Sequence, residues 1–246
     1  MRVAAIGKAF AAVALSATFA QAQIIGGSTL NFGGSVDLAD AGAAGITLDF
    51  NPQTIISTGP NTGSFAGIPF GATGTIVDIV AGTGPQAVNP FVTFGGYTFS
   101  LTNILQGSFG QAQCGAAPAA GQTCTPPQLP GATISPFNLA NQTASTSTAS
   151  FQVSGTVTQT GTQNTAAYNG IFTAQFLSGN NALNYQQVLA ALSGGPGSPG
   201  LNGVSFSATF STVPTSTVPE PATVALMATG LVAMFGGTML RRRNQA

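Results

Sequence analysis

The residues able to do chemistry in this chain are few. Between Gln23 and Thr217 the only carboxylates are Asp37, Asp40, Asp49 and Asp78, and the only thiols are Cys114 and Cys124. All five basic residues, Arg2, Lys8, Arg241, Arg242 and Arg243, lie outside that span, and the chain has no His. A serine nucleophile needs a base to take its proton, and this stretch offers neither imidazole nor amine. Acid–base chemistry is left to a glycosidase-like pair drawn from the four aspartates. Plainer duties fit them better: Asp37 and Asp40 in a turn before Gly42, Asp49 and Asp78 on solvent-facing strand positions. No dense Asp/Asn/Gly loop of the EF-hand or RTX kind is present to hold calcium. The expectation is therefore no enzyme, with no catalytic residue, no cofactor and no metal assigned.

Cys114 and Cys124 stand ten positions apart in a Gly/Pro-rich stretch. In an exported chain such a pair predicts a disulfide, worth about 2–3 kcal/mol in the loop-entropy model. Zinc is the alternative, but two sulfurs without a His or a second pair cannot close a tetrahedral site. The bridge would pin an omega-like loop running toward Pro126, Pro127 and Pro130.

Strands must position these residues. Apolar side chains alternate at Leu30 and Phe32; at Ile46, Leu48 and Phe50; and at Tyr97, Phe99 and Leu101. The same alternation links Phe151 and Val153 to Val157, Phe172 and Ala174 to Phe176, and Val204 to Phe210, with polar residues mostly between. Gly and Pro, 33 and 15 in number, punctuate the runs. A period of two bounded by turn residues predicts a mostly β domain, built as an antiparallel β-sandwich. One short helix interrupts it: Tyr185, Val188, Leu189 and Leu192 share a face, Asn184 caps it and Gly194-Gly195 stop it. Seventeen Phe supply enough apolar surface for a single core.

The span from Gln23 to Thr217 carries a formal charge of about −4 and no cation. Phosphates find no electrostatic hold on such a surface, which excludes nucleic acid and anionic lipid as natural partners. Carbohydrate would need a stacking ring. There is no Trp, and only Tyr97, Tyr168 and Tyr185. Asn141-Gln142-Thr143 forms a sequon, for which polar loop and strand surface is the simpler role. The uncharged run Phe151 to Thr158 lacks edge-protecting lysines and so suits pairing between molecules.

Both ends of the chain read as address labels. Arg2 and Lys8 flank the start, an apolar run extends from Ala9 to Ala20, and Ala20 and Ala22 place small residues where signal peptidase cuts; residues 1–22 are expected as a signal peptide cleaved after Ala22. The domain then covers 23–211 and a stalk 212–217. Val218-Pro219-Glu220-Pro221 follows, then an uncharged stretch over 222–240 and a basic tail at 241–246. About 19 residues at roughly 1.5 Å each span about 30 Å, so 222–240 is expected to cross a bilayer, with Arg241, Arg242 and Arg243 holding its end inside. The prolines keep the acidic segment extended and accessible. A permanent single-pass anchor is the alternative.

The order of motif, apolar stretch and arginine cluster resembles the PEP-CTERM sorting signal of Gram-negative, exopolysaccharide-producing bacteria. The resemblance implies that exosortase, a transpeptidase-like membrane enzyme, recognises Pro219-Glu220-Pro221, cuts nearby and releases the tail, so that residence in the inner membrane is transient. Signal peptidase and exosortase are then the processing partners, and the outer surface or extracellular matrix is the destination. Two functions stay open for the domain. One is a structural or adhesive role in the envelope or biofilm, self-association included. The other is a carbohydrate-binding module for exopolysaccharide, using Tyr97 or the loops from Cys114 to Pro130.

Overall fold

The computed structural model describes residues 24–40, 45–82, 84–127, 135–162, 164–177, 182–193 and 200–214. The chain divides into units Met1–Val213 and Pro214–Ala246; the fold described is that of the first. Its strands are β1 (Thr29–Asp40), β2 (Ile46–Asp49), β3 (Thr54–Ser57), β4 (Thr73–Ile76), β5 (Ile79–Ala81), β6 (Gly84–Phe94), β7 (Tyr97–Ile104), β8 (Thr123–Cys124), β9 (Asn138–Asn141), β10 (Ser147–Gln159), β11 (Thr165–Phe176) and β12 (Leu201–Thr212). A helix, α1 (Tyr185–Leu192), lies between β11 and β12.

The domain is mostly β, but the expected sandwich is replaced by a closed barrel. Hydrogen bonding runs β11–β12–β1–β3–β4–β6–β7–β10, and β10 then pairs with β11 to close the ring of eight strands. The correction has a physical cause. Alternation of apolar and polar residues says which side chains face inward, and it is the same in a sandwich and a barrel; it does not say which strands pair. Closure comes from two long strands that change partners along their length. Phe32 and Gly33 of β1 pair with β3 while Asp37 to Asp40 pair with β2. Ser147 to Ser150 of β10 pair with β9 while Val153 to Gln159 pair with β7. At one end the barrel therefore flares into two flaps, β2–β5 on one side and β9–β8 on the other.

The lumen is filled by rings. Phe172 lies within 6.2 Å, centroid to centroid, of Phe32, Phe50, Phe91, Phe151, Phe206 and Phe210, and it stacks on Phe151 at 4.9 Å. Tyr168 stacks on Phe210 at 4.7 Å. Burial pushes its phenol pKa up, and its hydroxyl finds no hydrogen-bond partner among the described residues. The flared end is closed by α1, which buries Tyr185, Val188 and Leu192. The helix starts as its sequence indicates: Asn184 Oδ1 accepts from the Gln187 amide at 3.0 Å, and the Asn184 amide donates back to Gln187 Oε1 at 3.1 Å. Beneath it remains a cavity of about 30 Å³ bounded by Val36, Phe151, Phe206, Val188 and Leu192. That is room for a water, far below the roughly 150 Å³ that admits a benzene-sized guest.

Three further expectations change. No helix among the described residues is long and apolar enough to cross a membrane, since α1 has only eight residues; the segment 222–240, on which a transmembrane helix was expected, lies outside the described residues, as does the signal peptide over 1–22. The run from Phe151 to Thr158 has no free edge, because β10 is bonded to β11 on one side and to β7 and β9 on the other. Asn141, the sequon residue, is 2 % exposed. Its side chain accepts from the Tyr185 amide at 2.8 Å and donates to Gln122 Oε1 and Gln186 Oε1 at 3.2 and 3.0 Å, so it is a buried junction between β9 and α1.

Candidate functional site

The four aspartates serve the flap made by β2 and β5. Asp37 and Asp40 belong to β1 and not to a turn, and Asp37 stands directly opposite Asp49 of β2. Asp37 Oδ1 accepts from the Gly203 amide. Asp78, between β4 and β5, accepts from the Phe50 amide at 2.8 Å and from Gln53 Nε2 at 2.9 Å, which fastens the end of β2. Partial desolvation, then the charges of Asp78 and Asp37, raise the Asp49 carboxyl above its ordinary pKa. A carboxyl whose folded pKa lies above its unfolded value contributes stability that is present at acid pH and lost as pH rises through the folded pKa. Asp49→Asn is therefore expected to raise the melting temperature at neutral pH. The gain should disappear as pH falls below the unfolded carboxylate range of about 4, and an equal gain at pH 3 and pH 7 would rule the charge explanation out. Among the described residues no group of three or more His, Cys, Asp or Glu could hold a metal ion.

Cys114 and Cys124 are joined by a disulfide. The loop they close is fastened on several sides. Gln113 accepts from the Tyr185 hydroxyl at 2.6 Å through its carbonyl and from the Thr123 amide at 2.9 Å through Oε1, while the Ala116 carbonyl accepts from Gln186 Nε2 at 3.0 Å. Asn138 Oδ1 gathers the Ser108 amide and the Thr125 hydroxyl, both at 2.8 Å. The loop thus braces α1 over the flared end. Residues 128–134, including Pro130, lie outside the described residues. Tyr97 is not beside this loop. It opens β7, whereas the loop follows Ile104 at that strand's other end, about 23 Å away along an extended strand. The two parts considered for a single carbohydrate site are therefore not brought together.

The outer wall of the barrel carries an arrangement that no single segment announces. In register across neighbouring strands stand Thr54, Thr75, Thr93, Thr98, Thr158 and Thr165, one each from β3, β4, β6, β7, β10 and β11. The Thr75 and Thr93 hydroxyls are hydrogen-bonded at 2.6 Å. The stretch from Thr54 to Thr98 lines an open groove of about 410 Å³ that also takes in Tyr97 and the Gly95-Gly96 turn. Tyr97 is fixed by its hydroxyl, which donates to the Ser64 carbonyl at 2.7 Å, and by an edge-to-face contact with Phe65 at 4.9 Å. Elsewhere the wall bears rows such as Ser150, Thr173 and Ser207.

Residues 217–243 match the family model of the PEP-CTERM protein-sorting motif. The match takes in Val218, Pro219, Glu220 and Pro221 together with Arg241, Arg242 and Arg243, all outside the described residues. The chain thus carries a PEP-CTERM sorting motif, consistent with an exosortase substrate, and this implies an exported protein destined for the surface. No curated protein and no solved structure matches the chain.

Proposed function

We propose that the chain is a structural or adhesive protein of the cell envelope or extracellular matrix, delivered there by exosortase. Signal peptidase removes residues 1–22, and exosortase recognises Pro219-Glu220-Pro221 and separates the barrel from its tail after an inner-membrane intermediate. The observation that carries the proposal is the sorting motif over 217–243 on a domain whose surface is hydroxyl- and amide-rich. Such a surface suits many weak neutral contacts. With neither His nor Lys in the barrel to serve as a base, a binding role is favoured over a catalytic one.

Intact mass of the exported form provides the test. In cells with exosortase the mass should correspond to a product beginning at Gln23 and ending near Pro219. Without exosortase, or with Pro219, Glu220 and Pro221 all replaced by Ala, the tail should remain attached and the protein should collect in the envelope fraction. Normal trimming of the triple variant would defeat the proposal.

A further inference from the structure

From the groove that runs across β3, β4, β6 and β7, we propose a binding site for a neutral polysaccharide chain laid crosswise over the strands. The setting is the exported role proposed above; the chemistry is independent of it. Adjacent strands place the threonines of one row about 4.8 Å apart, comparable with the length of one pyranose unit. Each hydroxyl can donate and accept, which matches the hydroxyls of a sugar, and each methyl offers an apolar contact to the ring's C–H face. The Gly95-Gly96 turn bounds one end of the groove; Tyr97 beside it turns its ring inward onto Phe65, so recognition there falls to the threonines. At about 410 Å³ the groove falls in the size range of small-ligand clefts, roughly 300–1,000 Å³. The row continues past it through Thr158 and Thr165, so a chain longer than the groove still meets hydroxyls.

Charge and backbone select among occupants. Residues 24–214 hold no Lys, Arg or His, so an anionic polymer finds no counter-charge there, and all four aspartates sit toward the β2–β5 flap. A peptide adding itself as a strand needs unpaired backbone N–H and C=O groups. The four central members of the row, Thr75, Thr93, Thr98 and Thr158, offer none, because each is paired on both sides. A polyhydroxylated neutral chain, recognised by side chains alone, is what remains.

The test is electrophoresis of the exported protein through native gels containing dextran, hydroxyethylcellulose, xyloglucan or galactomannan, with alginate as the anionic comparison. Retardation is expected in at least one neutral gel and not in alginate. Thr75→Val with Thr93→Val, which removes two hydroxyls and keeps their shape, should weaken it at least tenfold. Thr209→Val on the far wall should leave it unchanged. Thr54→Arg, at an exposed position, is a second block should the double variant fold poorly. The proposal is overturned by free migration in all four neutral gels, by equal retardation in alginate, or by full binding in folded groove variants. Groove-dependent oligomers without retardation would assign the surface to a second copy and equally overturn it. Because trimming is read at the terminus and retardation on the barrel, either proposal can fail alone.

Discussion

Phe172→Ala is expected to cost about 3–5 kcal/mol of folding stability, the range for truncating a buried aromatic. Phe172 meets six other rings, contributed by β1, β6, β10, β12 and the segment after β2. Five of those rings belong to strands held by ladder hydrogen bonds and the sixth, Phe50, is fixed by its amide to Asp78, so they cannot close over the vacated volume. For a domain of this size such a loss lowers the melting temperature by roughly 10 °C or more. Urea denaturation followed by far-ultraviolet circular dichroism would measure it, with Phe172→Leu expected to lose much less. A loss below about 1 kcal/mol for the alanine variant would mean that the lumen is not packed around this ring.

Gly155→Ala, although it adds only one methyl group, should be damaging for the opposite reason. A Cβ there would lie 1.9 Å from the Ser100 carbonyl oxygen and 2.8 Å from the Tyr168 ring. The register of β10 against β7 shifts between Ser154 and Gly155, and at this irregularity the Ser100 carbonyl occupies the place a Cβ would need. Overpacking a core commonly costs about 1–3 kcal/mol, and more where backbone must move. The effect should fall in or above the upper part of that range. Neighbouring Thr156 is exposed, and Thr156→Ala should be close to neutral on the same denaturation curve. Equal stability of the two variants would show that the strands can separate without penalty.

Local features were the ones legible in the sequence. The helix could be read from Asn184 and the spacing of Tyr185, Val188 and Leu192, because a cap and a stripe involve only neighbouring residues. The inward faces of β10, β11 and β12 followed from strict alternation. The sorting motif was legible because its parts are contiguous. What the sequence concealed was pairing between distant segments. β6 contains Pro85 and Pro90, which argue against a strand; its register against β7 shifts between Pro85 and Val88 and again between Val88 and Val92, so the strand is irregular where the prolines fall. Short β3 and β4, with four residues each, give too little alternation to count. The threonine row joins positions as far apart as Thr54 and Thr165, and only the pairing of β7 with the distant β10 carries it that far. Asn141 read as polar loop or strand surface for the same reason, since its partners Gln122 and Gln186 come from elsewhere in the chain.

The last strand also decides how the barrel carries a mechanical load. β12 is bonded along most of its length to β1 on one flank and β11 on the other, and its end is clasped where the Gly27 amide reaches the Thr212 carbonyl, the Thr212 amide reaches the Ser28 carbonyl and the Val213 amide reaches the Ala167 carbonyl. Tension entering at Val213 along the strand axis loads both ladders in shear, so many bonds resist together instead of parting one by one. Force applied on the carboxyl side of the barrel therefore meets two ladders at once.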